Sequence, residues 1–179
     1  DGQKGMLLED SRRFYGTGSD CPATIDLNTG QRRNSQLQDV ATLAKVADYC
    51  PNINFVMSMA LANDMPAHTA DVHEFVTMVN NTSKPLVFTA FSLNSLQVIH
   101  RICAIVSGGE DELRHNPFVM HYSEPTTPLR HTHEAVEKLL FCADKGIPIV
   151  YAPAPMSGST APATLAGTIV IGNAEILSG

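Results

Sequence analysis

Apolar positions in this chain fall into short continuous runs, and helical patterns lie between them. The runs are Phe55–Leu61, Pro85–Ala90, Phe118–Tyr122 and Pro148–Ala152. They begin at residues 55, 85, 118 and 148, in steps of 30, 33 and 30. Runs of this kind, rich in β-branched and aromatic residues, predict buried strands. Val72, Phe75, Val76 and Val79 keep the i, i+3, i+4, i+7 spacing of a helix face, and so do Val136, Leu139, Leu140 and Ala143. Leu96, Ile99, Cys103 and Val106 keep it more loosely. Gly108-Gly109 and Gly146 stand where the helices should stop.

Continuous strands alternating with amphipathic helices predict an α/β fold with parallel strands covered by helices. Eight units of about 31 residues give about 250 residues, the size of a (β/α)8 TIM barrel. Upstream, Arg13–Thr17 reads as one more short strand, and residues 23–33 read as a hairpin insertion turning at Asn28-Thr29-Gly30. Ser35 with Gln38 has the capping-box spacing for a helix from about Gln36 to Tyr49. The sum is about five βα units, so the 179 residues are expected to form a partial TIM barrel truncated at its C-terminus. A last helix, opening near Pro162, reaches Gly179 without a stop signal. A five-stranded, flavodoxin-like doubly wound sheet is the alternative, disfavoured because the first turn lacks a glycine-rich phosphate loop.

Composition narrows the function. Apolar residues make up 44% and charged residues 17%, as in folded domains. The net charge is −6 and no Lys/Arg cluster exceeds a pair, which argues against nucleic acid. No apolar run approaches the ~18 residues of a membrane span. Cys21, Cys50, Cys103 and Cys142 form no CxxC pair, so metal-site spacing is absent and a reducing, cytoplasmic setting is expected. The chain starts at Asp1 without Met, and an upstream segment is expected.

In a barrel, chemistry sits at strand C-terminal ends. Glu124 leaves the third strand between Ser123 and Pro125, where a carboxylate needs a partner. It suits a general base or the counter-charge of a cation; the bland reading is a loop acid paired with arginine or capping amides. His121 lies three residues earlier, as a ligand contact or a hydrogen-bonded core histidine. Tyr15, Phe91 and Tyr122 sit at three strand ends, where aromatic faces attract an ammonium group or merely pack the rim. Ser157 and Ser159 fall in a loop whose amides, ahead of a helix, suit an anion such as a carboxylate. The His131-x-His133 pair sits at a helix start, where the rings diverge, so no metal is expected. Lys84 precedes a strand and Lys145 ends a helix, neither placed for a Schiff base.

Several blocks resemble the trimethylamine methyltransferase family. They are Phe14–Asp20 with Asp26–Arg32, Asn80–Pro85, and Pro153–Thr168 with Asn173-Ala174-Glu175. They occur in the family's order, and the resemblance covers essentially the whole chain. It implies a (β/α)8 barrel that takes a methyl group from a tertiary or quaternary amine, of trimethylamine or glycine betaine type. The acceptor is the Co(I) corrinoid of a separate partner protein, so no cofactor is bound directly and no metal is needed on the barrel. One branch carries pyrrolysine beyond the stretch matched here; another lacks it and includes a glycine betaine methyltransferase. The resemblance places no catalytic residue with certainty in this stretch. The full-length protein is expected to be a homo-oligomer, and this piece alone is expected to be inactive. The alternatives are another barrel enzyme of lyase or aldolase type, and a non-catalytic barrel fragment.

Overall fold

The computed structural model describes residues 6, 8, 9 and 11–179, in two compact units, Asp1–Val119 and Met120–Gly179. The chain is a mixed α/β protein in which parallel strand pairs are joined by helices.

The first unit opens with the hairpin, β1 (Ala23–Ile25) and β2 (Arg32–Asn34), antiparallel with Thr24 opposite Arg33. Its turn is built by Asp26, whose Oδ1 accepts the N–H groups of Asn28 and Thr29 at 3.0 and 2.9 Å. Gly30 completes it at φ +68°, a left-handed position that favours glycine. Then come α1 (Leu37–Tyr49), β3 (Val56–Met57), α2 (Ala70–Val79), β4 (Leu86–Phe88), α3 (Leu93–Ser107) and α4 (Glu110–His115). β3 and β4 are parallel, Val56 opposite Leu86, and Leu86 N–H donates to Phe118 O at 2.9 Å. Val56, Leu86, Val87 and Phe88 of the strands are buried, as are Val40 and Ala44 of α1, Phe75 and Met78 of α2, and Leu96 and Ile99 of α3. The Phe75 and Phe88 rings meet edge to face at 5.2 Å.

Two local expectations are corrected here. The strand expected at Arg13–Thr17 is a single parallel bridge, Gly16 to Phe55. It goes no further because the Thr17 hydroxyl replaces the backbone, accepting from Met57 N–H at 2.8 Å and donating to Met57 O at 2.5 Å. Gly16 suits the bridge, since a Cβ there would lie 2.1 Å from the Phe55 ring and force it to move. The N-terminus of α1 is capped by Gln36 with Asp39, not Ser35 with Gln38. Asp39 Oδ2 accepts Gln36 N–H at 2.8 Å and Asp39 also grips Arg33 of β2 with two contacts of 2.7 Å. Ser35 is fully buried instead, its Oγ 2.8 Å from Cys21 O and 2.7 Å from Leu61 O.

The second unit holds β5 (Val119–Ser123, whose first residue closes the first unit), α5 (His133–Lys145), β6 (Ile149–Tyr151) and α6 (Leu165–Ser178). β5 and β6 are parallel, with His121 opposite Ile149 and Ser123 opposite Tyr151. α5 starts at Thr132, whose hydroxyl accepts Ala135 N–H at 3.2 Å, and stops at Gly146, at φ +71°. α6 begins three residues later than Pro162. Residues 156–161 first fold on themselves, with Ser159 and Ala161 N–H donating to Met156 O at 3.1 and 3.0 Å. Thr164 then caps the helix through Gly167 N–H at 3.2 Å.

The observed strands start at 56, 86, 119 and 149, keeping the expected spacing. Two helices present a face one residue away from the expected stripe. In α2 the buried positions are Ala70, Asp71, Glu74, Phe75 and Met78, while Val76 is exposed. In α5 they are Ala135 and Cys142, and Leu140 is exposed.

Candidate functional site

Along β5 the side chains alternate, as a strand requires. His121 and Ser123 are buried; Tyr122 is half-buried on the opposite face. Glu124 follows in solvent, so the desolvation that singled it out does not act there. Its partner is a tyrosine and not an arginine: Tyr122 Oη donates to Glu124 Oε2 at 3.3 Å. These two expected site residues are thus brought together, whereas His121 lies on the other face.

At the end of β6, the Tyr151 hydroxyl meets His131 Nδ1 at 2.5 Å, and the two rings stack at 5.8 Å. His131 Nε2 meets Ser178 Oγ of α6 at 2.9 Å. Burial, then the charge of Glu175, raise the Tyr151 phenol above its ordinary pKa. His133 is instead exposed at the start of α5, 3.2 Å from Glu137. Among the described residues no group of three or more His, Cys, Asp or Glu is placed to hold a metal ion. Ser157 Oγ lies 2.7 Å from Thr168 Oγ1, and Ser159 is exposed. The loop amides of Met156, Gly158, Ser159 and Ala161 are bonded within the loop, so they are not offered to an anion.

In the first unit, Tyr15 and Phe91 are exposed. Tyr15 N–H donates to Asn54 Oδ1 at 2.9 Å, and Phe91 N–H to Asp71 Oδ2 at 2.7 Å. Beneath these strand ends lies a cluster whose two helical acids, Asp71 and Glu74, sequence reasoning missed. Asp20, Asp71 and Glu74 line one small cavity with Ser58, Thr89, Met57, Met78, Phe75 and Phe88. It measures about 10 Å³, room for about one water molecule on that measure. Asp71 and Glu74 are 2% exposed. Asp71 holds the turn after β4 through Phe91, and Glu74 Oε1 holds the turn after β3 by accepting Ala62 N–H at 2.7 Å. Asp20 Oδ2 accepts the Thr89 hydroxyl at 3.1 Å, while its buried Oδ1 has no hydrogen-bond partner among the described residues. Burial raises the pKa of Asp20. Burial, with the charges of Asp20 and Asp71, pushes Glu74 up to about 7. The missed signal was available: Asp71, Glu74, Phe75 and Met78 are themselves an i, i+3, i+4, i+7 set.

Comparison with known proteins decides the family. A model described as trimethylamine methyltransferase (MTTB) matches residues 3–179. The chain belongs to the trimethylamine methyltransferase family. The trimethylamine methyltransferase MttB of Desulfitobacterium hafniense (strain DSM 10664 / DCB-2) is 33% identical over 153 residues, covering 86% of this chain and 31% of that protein. The glycine betaine methyltransferase of Desulfitobacterium hafniense (strain Y51) is 30% identical over 178 residues, covering 99% and 37%. The trimethylamine methyltransferase MttB of Methanosarcina thermophila is 35% identical over 144 residues, covering 79% and 30%. The chain therefore spans about a third of the length of these relatives.

Within this family member the resembling blocks do definable structural work. Asp26 builds the hairpin turn. In Asn80–Pro85, the Thr82 and Ser83 hydroxyls and Ser83 N–H all donate to Asp48 Oδ1 of α1, at 2.7 to 3.1 Å. Lys84 is buried and its Nζ donates to the carbonyls of Ala47 and Cys50 at 2.6 and 2.7 Å, closing the C-terminus of α1. That ammonium is committed to a helix end, which leaves it no Schiff-base role. Glu175, from the Asn-Ala-Glu block, is fully buried in α6.

Proposed function

We propose that the protein carrying this chain moves a methyl group from a tertiary or quaternary amine to the Co(I) corrinoid of a separate protein, on a (β/α)8 barrel. The observation that carries the proposal is the family match across residues 3–179. The even strand spacing, 56, 86, 119 and 149, supports the barrel. The corrinoid enters as a substrate brought by its carrier, and its Co(I) supplies the electron pair that attacks the methyl carbon. As the carbon–nitrogen bond breaks, its electron pair stays on nitrogen. A quaternary nitrogen then leaves as a neutral amine; a tertiary one must first be protonated. Either way the site receives a cation.

The strand-end residues suit a cation. Glu124 presents a carboxylate beside the Tyr122 phenol, and an aromatic with an anion is the recognition chemistry of a methylated ammonium group. The buried trio of Asp20, Asp71 and Glu74 lines a cavity behind the strand ends of the first unit. Its cavity is too small for the four heavy atoms of trimethylamine, so the amine is assigned to the open end and not to that cavity.

The test is direct. The full-length protein is mixed with its corrinoid protein reduced to Co(I), and trimethylamine or glycine betaine is added. Loss of the Co(I) absorbance with one of them, needing the methyltransferase, is the expected result. Failure with every methylated amine tried overturns the proposal.

A further inference from the structure

We infer that Glu175 is a positioning residue that holds the loop after β5, and through it Glu124, in place for the amine. This role requires that Glu124 face the amine, as the methyl-transfer reading has it. α6 reverses the usual distribution of residues on a surface helix. Leu165, Ile169, Val170 and Leu177 are exposed, while Glu175 is 0% exposed. A carboxylate removed from water needs donors. Its donors are Leu129 N–H, to Oε1 at 2.7 Å, and Thr127 Oγ1, to Oε2 at 2.9 Å. Both oxygens are thus committed to one short loop, closed by Thr126 N–H donating to Arg130 O at 2.8 Å. Leu129 sits at φ +54°, a conformation that non-glycine residues hold only when their surroundings impose it. A buried side chain that merely filled space under α6 would not need two acceptors aimed at a loop. The clamped residues begin two positions after Glu124, and the link between them is Pro125, which is buried and restricts the backbone of Glu124 to extended conformations. A shift of residues 126–130 is therefore passed on to the Glu124 carboxylate.

The experiment uses the full-length protein, its Co(I) corrinoid protein and trimethylamine or glycine betaine, whichever the wild type accepts. Glu175→Ala is expected to raise the KM for the amine about tenfold while kcat changes less than about threefold. Hydrogen exchange at the Leu129 amide should speed up in that variant. Glu175→Gln keeps an acceptor for Leu129 and offers a donor to Thr127 Oγ1, so it should stay within about threefold of wild type. A folded Glu175→Ala protein with faster Leu129 exchange and unchanged KM overturns the inference. So does an activity loss that only tracks the folded fraction. Should Glu175→Ala not fold, Thr127→Val removes one of the two bonds; about threefold weaker amine binding by calorimetry supports the role, and unchanged binding overturns it. A wild type that transfers no methyl group removes the methyl-transfer reading, and the role of Glu175 with it.

Discussion

Glu74 Oε1 accepts the backbone N–H of Ala62 at 2.7 Å, so a fully buried carboxylate of α2 fixes the turn that leaves β3. Burial, reinforced by Asp20 and Asp71, pushes Glu74 up to about 7 from an ordinary 4.5. The folded state therefore keeps a proton that the unfolded chain has already released between those values. Stability from this group is highest below pH 4.5, falls as pH rises through that window, and levels off above about 7. Glu74→Gln keeps an oxygen for Ala62 and loses the charge. It should match the wild type near pH 4.5 and exceed it by roughly 1–3 kcal/mol at pH 8, by urea unfolding at both pH values. A difference that is the same at both values removes the shift.

Lys84 makes the opposite kind of buried contact, a cation closing a helix. Its ammonium lies on the carbonyls of Ala47 and Cys50, at the end of α1, where the helix dipole favours positive charge. Lys84→Met fits the apolar stem but leaves two carbonyls without that donor. A loss of roughly 1–3 kcal/mol of stability is expected. In the full-length protein, the methyl transfer proposed above should not change per folded molecule. Normal stability with lost activity would instead give Lys84 a chemical role.

How much of this was legible follows from which residues announce themselves. The strand positions were, because four apolar runs at even spacing have no other economical reading; each observed strand begins one residue after its run. The glycine stops were legible too, since Gly108 and Gly146 adopt φ values of +88° and +71°. The faces of α2 and α5 were not. Valine at 72, 76 and 79 outweighed the acids at 71 and 74, and apolar count cannot see that backbone amides of two turns need acceptors. The early strand failed for a similar reason, because a threonine side chain took over the pairing expected of the backbone. Glu175 was hidden by its own helix, where apolar residues on every side give no direction to the pattern.

Glu124 gives the sharpest test of the strand-end reading. It is exposed and accepts the Tyr122 hydroxyl at 3.3 Å, so its carboxylate is available to a cation in solvent. Screening limits what such a pair contributes, to about 0–1 kcal/mol for an exposed contact. Aromatic contact adds about 0.5–1 kcal/mol at exposed sites. Glu124→Gln in the full-length protein should therefore weaken amine binding about three- to tenfold by calorimetry, and the remaining affinity should depend less on salt. Tyr122→Phe keeps the ring and frees the carboxylate from its tether, so its loss should be smaller than that of Glu124→Gln. Equal affinity in wild type and Glu124→Gln would take Glu124 out of the site and leave the amine to be held elsewhere along the strand ends.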